Sequence, residues 1–342
     1  MVAKSRITED RLDALKQEAV RTGRVQQSGI VPVASPLPKQ PVGNSYHKNP
    51  VLKPPTWTWQ VPLYFFVGGV AGISALIGVV AHVVNNTGLL RAGLWIGLTG
   101  ALLSPPLLIA DLGRPERFLN MLRVLKPRSA MSLGAWTLSA FSLAIGLAVI
   151  CHELIVARHG NEFLVVIDWL AEITAAMTGL ILASYTSVLL GVTAIPVWSE
   201  NRKLVPAIFL TGALGSAAAI LELLGFRLAA TQFIGIVAST VEIVIALRIE
   251  HRNRYVDRPL REGAVGWLTR VGALLAGLFS LILRAFWSNN PEFRDSAALC
   301  FIAGALIARY AWIAAGRVSS RDPQALFQIQ RVGGKATQSA LS

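Results

Sequence analysis

The chain is poor in cysteine, the residue that holds most iron-sulphur clusters. Only two of its 342 residues are cysteines, Cys151 and Cys300, and they lie far apart without forming a C-x-x-C pair. A cubane cluster normally takes four thiolates, so we expect no iron-sulphur cluster within this chain. Nor do two distant cysteines suggest a disulfide scaffold.

Charged residues are also scarce. They make up 15% of the sequence against 53% hydrophobic residues, with a mean hydropathy of +0.53. Soluble domains typically carry about a quarter charged residues, so this composition predicts a protein surrounded by membrane lipid. The net charge of +13 lies mostly in connectors between apolar segments. That placement favours orientation in a membrane, and we expect no nucleic-acid partner.

Histidine is nearly absent from the apolar segments. His47 lies in the N-terminal tail, His152 and His159 in one connector and His251 in another, and only His82 falls inside a span, near its end. A haem held by two imidazoles needs histidines well inside facing helices. A pair of His82 with His152 remains the one arrangement of that kind, and we expect no haem.

Long apolar runs dominate the rest of the chain. About twenty apolar residues cross a bilayer as a helix, the one open-chain structure that satisfies its own backbone there. We therefore predict an all-α integral membrane protein with eight transmembrane helices, arranged as two four-helix bundles. The expected spans are residues 61–84, 90–110, 130–151, 163–190, 204–224, 228–248, 266–286 and 296–316.

Three regions follow from this pattern: a tail over residues 1–59, a membrane domain over 60–316 and a second tail over 317–342. Ile7 to Arg24 has the spacing of a short amphipathic helix. Eight prolines crowd residues 31–62, which predicts an extended linker because proline fixes φ and removes a backbone donor. The linker could wrap a soluble neighbour or be disordered.

Lysine and arginine alternate in abundance from one connector to the next. The two tails and the 2–3, 4–5 and 6–7 connectors hold 25 of them, whereas the other connectors hold about four. The positive-inside rule then places both termini in the cytoplasm. The tryptophans fall mostly near span ends, where indoles usually lie at the interface.

Several ionisable residues lie inside the predicted spans, where each costs several kcal/mol unless it is paired or hydrated. Glu172, Glu242 and Glu222 could form a broken proton pathway together with Asp168 and Asp111. Alternatively, each could be protonated or paired with an arginine such as Arg270 or Arg309. We expect Arg284 and Arg309, near span ends, to extend toward water without a further role.

The segment from Leu107 to Trp136 carries the strongest functional signal. It sets Asp111 at the end of one span, just after Ser104, Pro105 and Pro106, whose prolines predict a bend beside a cavity. A basic connector with the spacing of a short surface helix follows. Tyr185 in the fourth span could donate to a quinone carbonyl or bond a neighbouring helix.

At these residues the chain resembles the NrfD/polysulphide reductase family of membrane subunits. The resemblance rests on PLYFFVGGVAG (62–72), LIADLGRPERFLNMLRVLKPRSAMSLGAW (108–136) and SYTSVLLGVTAIPVW (184–198), and covers the eight-span core. It implies a quinone site made by Asp111, Arg114 and Tyr185, with Tyr64 of the first motif beside them. It also implies docking of a partner subunit on Arg117, Arg123 and Arg128. Some relatives carry a histidine where Val70 stands.

The resemblance implies a haem-free membrane anchor of a respiratory oxidoreductase, as in anaerobic respiration. Menaquinone or ubiquinone would be the substrate, and a ferredoxin-like 4Fe-4S subunit with a molybdopterin-type catalytic subunit would be the partners. The expected location is the inner membrane of a bacterium, and the chain is not expected to be catalytic alone. A secondary transporter and a passive anchor without a quinone site remain alternatives.

Overall fold

Eight long apolar helices form the body of the protein. The computed structural model describes residues 14, 15, 17, 18 and 21, and residues 52–126, 129–159, 161–252, 254–287 and 289–327. The eight-span prediction is confirmed within this part of the chain. The helices are α1 Gln60–Val83, α2 Thr87–Ala110, α3 Ala130–Ala157, α4 Glu162–Gly191, α5 Leu204–Leu223, α6 Ala229–His251, α7 Gly263–Phe286 and α8 Pro291–Ser320.

The helices pack as the two predicted four-helix bundles. In the first bundle α1 packs against α2 and α4, and α3 packs against α2 and α4. In the second, α8 packs against α5 and α7, and α6 packs against α5 and α7. The bundles meet where α1 lies against α5 and α8, and where α4 lies against α5. Each bundle therefore has an interior of its own in which polar side chains can be enclosed.

Two of the helices contain a π-helical turn, at Ile155–His159 at the end of α3 and at Leu274–Phe279 within α7. Such turns open the backbone spacing of a helix by one residue and often occur beside functional sites. The turn in α7 borders an apolar cavity of about 480 Å³ between α6 and α7. The Glu250–Arg270 ion pair is among its lining residues.

The segments at the lysine-rich and arginine-rich face hold one another together. The Trp57 indole, ahead of α1, stacks on Trp198 of the 4–5 connector at 5.4 Å. Ser319 near the end of α8 accepts a hydrogen bond from Val197 N at 3.1 Å. Asn201 of the 4–5 connector donates to Asp257 of the 6–7 connector at 2.6 Å. The segment ahead of α1, the 4–5 and 6–7 connectors and the end of α8 thus form one layer. Helices that run in alternating directions bring these four segments to the same face.

Two tryptophans do not lie where the sequence pattern indicated. Trp198 and Trp312 are buried, at 0% and 2% exposure, and Trp198 Nε1 donates to the Trp312 carbonyl at 2.8 Å. Position near a span end therefore did not imply an interfacial indole for these two. Their role is to pack the connector layer against α8.

Most of the predicted N-terminal amphipathic helix lies outside the described residues, as does the proline-rich linker up to residue 51. Residues 14, 15, 17, 18 and 21 of that helix are described; they are helical and exposed. The described chain resumes at residue 52 and enters α1 at Gln60. At the other end, the last span runs to Ser320, four residues beyond the predicted boundary at 316.

Candidate functional site

The candidate site lies at the end of the first bundle that faces the 2–3 connector. Asp111 is the residue after α2, and its carboxylate is tied to the segment ahead of α1. Thr58 donates to Asp111 Oδ1 twice, from its backbone N at 2.8 Å and from its hydroxyl at 2.6 Å. No bond to Oδ2 is seen from the described residues. Asp111 therefore keeps an acceptor oxygen while its position is fixed.

A pair of phenols, of which Tyr64 is buried and Tyr185 half-buried, lies at the same end of the bundle. Tyr64 of α1 is completely buried, and its hydroxyl oxygen lies 3.5 Å from that of Tyr185 in α4. A good O–H···O bond is about 2.5–3.0 Å long, so this contact is weak and both phenols keep donor capacity. Tyr64 stands four residues into α1, about 6 Å deeper than its first residue Gln60.

The Tyr185 ring owes its position to a glycine. A Cβ on Gly134, near the start of α3, would lie 2.2 Å from the Tyr185 ring. No side chain larger than hydrogen fits there without moving the ring, so glycine lets α3 close over the phenol. Gly134 belongs to the MSLGAW run of the central segment. That run therefore shapes the surroundings of Tyr185.

The proline pair does not interrupt α2. The helix continues from Thr87 to Ala110 through Pro105 and Pro106, and Ser104 Oγ donates to the Gly100 carbonyl at 2.7 Å. An apolar cavity of about 430 Å³ adjoins the preceding turns of α2 and opens between the bundles. Its lining residues include Val70, Gly100, Leu103 and Ile220.

The basic connector forms the outer edge of this site. Pro115–Arg117 is a short 3₁₀ turn and Phe118–Leu122 a short helix, as the spacing predicted. Arg114 and Arg123 are exposed. The backbone of Arg117 is described but its side chain is not, and Arg128 lies outside the described residues. The exposed arginines are available to a partner of opposite charge.

Glu172, assigned to the proton pathway, lies in a buried cluster at the opposite end of the first bundle. Its Oε2 lies 2.6 Å from His82 Nδ1 of α1, and the His82 ring stacks on Trp169 at 4.3 Å. One turn away, Asp168 lies 3.7 Å from His152 Nδ1 of α3. His82 therefore pairs with a carboxylate and not with His152.

Glu222 is engaged in an ion cluster at the corresponding end of the second bundle. Its carboxylate lies 2.7 Å from Arg284 of α7, and Arg294 of α8 donates to it at 2.6 Å. Arg284 is 1% exposed and Glu222 is fully buried. The expectation that Arg284 extends to water is therefore wrong: proximity to a span end did not expose it, because α5 and α6 cover it.

Arg309 is also buried, contrary to expectation. It donates to the carbonyls of Ala305 and Phe209, at 2.9 and 2.8 Å, and its guanidinium lies 5.1 Å from the Phe209 ring centroid. Two backbone carbonyls and an aromatic face satisfy the charge inside the protein, so it need not reach the interface. Glu242 of α6 is its acidic neighbour and is 6% exposed.

Outside the spans, a hydrogen bond links the 6–7 connector to the C-terminal segment. The hydrogen bond between the Tyr255 hydroxyl and Asp322 raises the pKa of that phenol, because the neutral form is the donor. Tyr255 therefore stays protonated at physiological pH. The contact adds to the layer that holds the connectors together at this face.

The cluster of His82, His152, Asp168 and Glu172 is a grouping that sequence inspection missed. A signal for it was present: α1 and α3 end on the side where α4 begins, so their terminal histidines face the first turns of α4. Asp168 and Glu172 are four residues apart and share a helix face. Only the packing of three helices shows that these groups meet.

Comparison with known proteins bears on the whole first bundle. The family profile described as "Polysulphide reductase, NrfD" matches residues 43–232, more than half of the chain. The matched region contains α1 to α5, including Tyr64, Asp111 and Tyr185. No curated protein matched the chain.

Proposed function

The chain belongs to the polysulphide reductase NrfD family, and from this premise we propose that it is the quinone-reactive membrane anchor of a respiratory oxidoreductase. It would pass electrons between the quinone pool and a ferredoxin-like 4Fe-4S partner subunit, with a molybdopterin-type catalytic subunit beyond. Members of this family are membrane subunits of quinone-interacting complexes. On this proposal the protein transfers electrons and does not transport a solute.

The observation that carries this proposal is that a tethered acid and a pair of phenols lie at the same end of the first bundle. Tyr64 and Tyr185 keep donor capacity at their 3.5 Å contact, so either could donate to a quinone carbonyl. Leu107, Leu108 and Tyr185 pack against the apolar core, which suits a ring and an isoprenoid tail. These residues fit a quinone as substrate.

Quinol oxidation releases two protons with two electrons, so the site needs a proton acceptor. Asp111 lies where the bundle meets water, and the two Thr58 bonds to Oδ1 hold it in place. A carboxylate at that boundary can accept a proton from a substrate hydroxyl and pass it to solvent. Arg114, exposed three residues later, is assigned to orient the quinone or the carboxylate.

The basic connector is the proposed docking surface for the iron-sulphur subunit. Arg117, Arg123 and Arg128 would bind acidic residues of that subunit, and the connector lies beside the quinone site. A short distance between quinone and cluster favours electron transfer. By the positive-inside rule this face is cytoplasmic in a bacterial inner membrane. The N-terminal tail would contact the same partner.

The proton pathway is proposed in a narrower form than the sequence indicated. Glu172 and Glu242 are retained as candidates, each inside its own bundle. Glu222 sits between two guanidinium groups at 2.6 and 2.7 Å. Both of its carboxylate oxygens are therefore held in ion pairs. A stabilising role suits Glu222 better than a step in proton transfer.

The proposal is tested by purifying this protein from native membranes in a mild detergent. The co-purifying subunits are identified by mass spectrometry, extracted quinone is quantified, and the absorption spectrum is recorded. We expect a cluster-bearing subunit, about one quinone per complex and no haem absorbance. The catalytic subunit would identify the substrate of the complex.

Two other results would contradict it. A chain that purifies alone and without quinone, and that drives solute uptake into vesicles, would establish a secondary transporter. A complex that holds its partners but neither binds quinone nor is reduced by quinol would establish a passive anchor. Each result differs from the expected one in composition, so the three functions are distinguishable.

A further inference from the structure

The His82, His152, Asp168 and Glu172 side chains form a cluster remote from the Asp111 site, at the other end of the first bundle. One ligand atom each of His152, Asp168 and Glu172 lies within 4.8 Å of the other two. All three residues are more than nine-tenths buried, at 7%, 2% and 0% exposure. His82 Nδ1 adds a fourth candidate ligand 2.6 Å from Glu172 Oε2.

The cluster is incompletely satisfied by its own hydrogen bonds. Asp168 Oδ1 and Glu172 Oε1 are buried and have no hydrogen-bond partner among the described residues. The His152–Asp168 contact of 3.7 Å is too long for a good hydrogen bond. A buried carboxylate oxygen without a partner is costly, so these oxygens call for a further positive group.

The ligand types select the kind of ion. Imidazole nitrogen and carboxylate oxygen together suit zinc and neighbouring first-row transition ions, whereas magnesium and calcium prefer oxygen alone. With neutral imidazoles, two carboxylates carry two negative charges, which one divalent cation balances. This balance matters inside a membrane bundle, where uncompensated charge is costly.

The geometry is within reach of coordination. Tetrahedral zinc with bonds of about 2.0–2.1 Å places its ligand atoms about 3.4 Å apart. The ligand atoms of His152, Asp168 and Glu172, within 4.8 Å of one another, need to come closer by about 1.4 Å at most. Asp168 and Glu172 share a face of α4, and the histidines come from α1 and α3, so the ligands converge from three helices. The His82 side chain is 24% exposed and offers an entry route.

We propose that His82, His152, Asp168 and Glu172 form a binding site for one divalent transition-metal ion of the zinc type. The ion would tie together the ends of α1, α3 and α4. This inference does not rest on the proposed quinone site, which lies at the opposite end of the bundle. With an ion bound, Glu172 is a ligand and not a step of the proton pathway.

The test uses the full chain in lipid nanodiscs after chelator treatment and removal of the chelator. Zinc chloride binding is measured by calorimetry for the wild type, for Asp168→Asn with Glu172→Gln, and for Glu153→Gln. Glu153 is the matched control because it lies beside His152 in sequence but is bound by Arg91 at 2.7 Å. We expect about one Zn²⁺ per chain, affinity at least about tenfold weaker in the double variant, and unchanged binding in the control.

Cobalt chloride provides a second readout that needs no variant to fold. The wild-type chain should show the intense visible bands of four- or five-coordinate Co²⁺, and zinc should abolish them, whereas a tenfold excess of magnesium should not. Several results would overturn the proposal: no saturable zinc site, equal affinity in the double variant, or a weak six-coordinate cobalt spectrum. A metal that binds only to the two tails would give equal affinity in the wild type and the double variant.

Discussion

Among the described residues three arginines are buried inside the protein, and they are stabilised in two different ways. Arg309 uses two backbone carbonyls and aromatic rings. Arg284 and Arg294 share the carboxylate of Glu222, and Arg294 also donates to the Arg227 and Leu228 carbonyls. At the scale of the residue, the charges in the spans are mostly neutralised in place.

The Glu222 cluster leads to a stability prediction. Glu222→Gln removes the negative charge between two buried guanidinium groups, so it should destabilise the protein by about 3–5 kcal/mol. Asp295→Asn is the matched control, because the Asp295–Arg227 pair is about one-third exposed and should change stability by at most about 1 kcal/mol. Thermal unfolding in detergent compares the two. Equal melting temperatures would mean that Glu222 does not balance the arginines.

At this scale sequence reasoning was weakest. The sequence identified Glu172, Glu222 and Glu242 as in-span acids but could not supply their partners, which lie 62 or more residues away. Burial of Arg284 depends on α5 and α6 covering it, and burial of Arg309 on the aromatic rings of α1 and α5. Neither is encoded in the distance of a residue from its span end.

At the scale of the helix, the sequence was a good guide. Apolar length alone defined the eight spans to within six residues at either end, because the bilayer thickness fixes how much apolar helix is needed. The short helix at Phe118–Leu122 also followed from its spacing. The π-helical turns at Ile155–His159 and Leu274–Phe279 could not be anticipated, since their formation depends on packing between helices.

The close crossing of α1 and α4 gives a prediction at this scale. A Cβ on Gly72 would lie 2.1 Å from the Gly179 carbonyl oxygen of α4, so Gly72→Ala must push two backbones apart. We expect destabilisation by about 1–3 kcal/mol, read as a lower melting temperature by circular dichroism. Gly146→Ala in α3 is the control, because nothing lies within 4 Å of its added Cβ. If both variants melt alike, close packing at Gly72 is not required.

At the scale of the whole molecule, polar groups are segregated between the two ends of the bundles. The end with the basic connectors carries Asp111 and the phenol pair, and the other end carries the histidine-carboxylate cluster and the Glu222 cluster. Tyr64 and Glu172 thus mark opposite ends of the first bundle. The alternation of basic connectors made this polarity predictable, whereas the clusters themselves required the packed structure.

Orientation in the membrane is a prediction about the whole molecule. In a chain with Cys151→Ser and Cys300→Ser, a single cysteine is introduced by Glu116→Cys or by Glu162→Cys, at exposed positions of the 2–3 and 3–4 connectors. A membrane-impermeant thiol reagent on intact cells should label only the Glu162 variant, because the basic connectors are expected inside. Labelling of the Glu116 variant alone would show the opposite orientation, with the partner subunit on the outer face.

Asp111 is proposed to serve quinone chemistry at the end of the first bundle that carries the basic 2–3 connector. The most direct measurement is the rate at which a quinol analogue reduces the iron-sulphur clusters of the assembled complex, compared between wild type, Asp111→Asn and Glu116→Gln. We expect Asp111→Asn to assemble normally and to lose at least about 100-fold in rate, because it cannot accept the proton. The exposed Glu116→Gln should match the wild type. Wild-type turnover in an assembled Asp111→Asn complex would contradict the assignment.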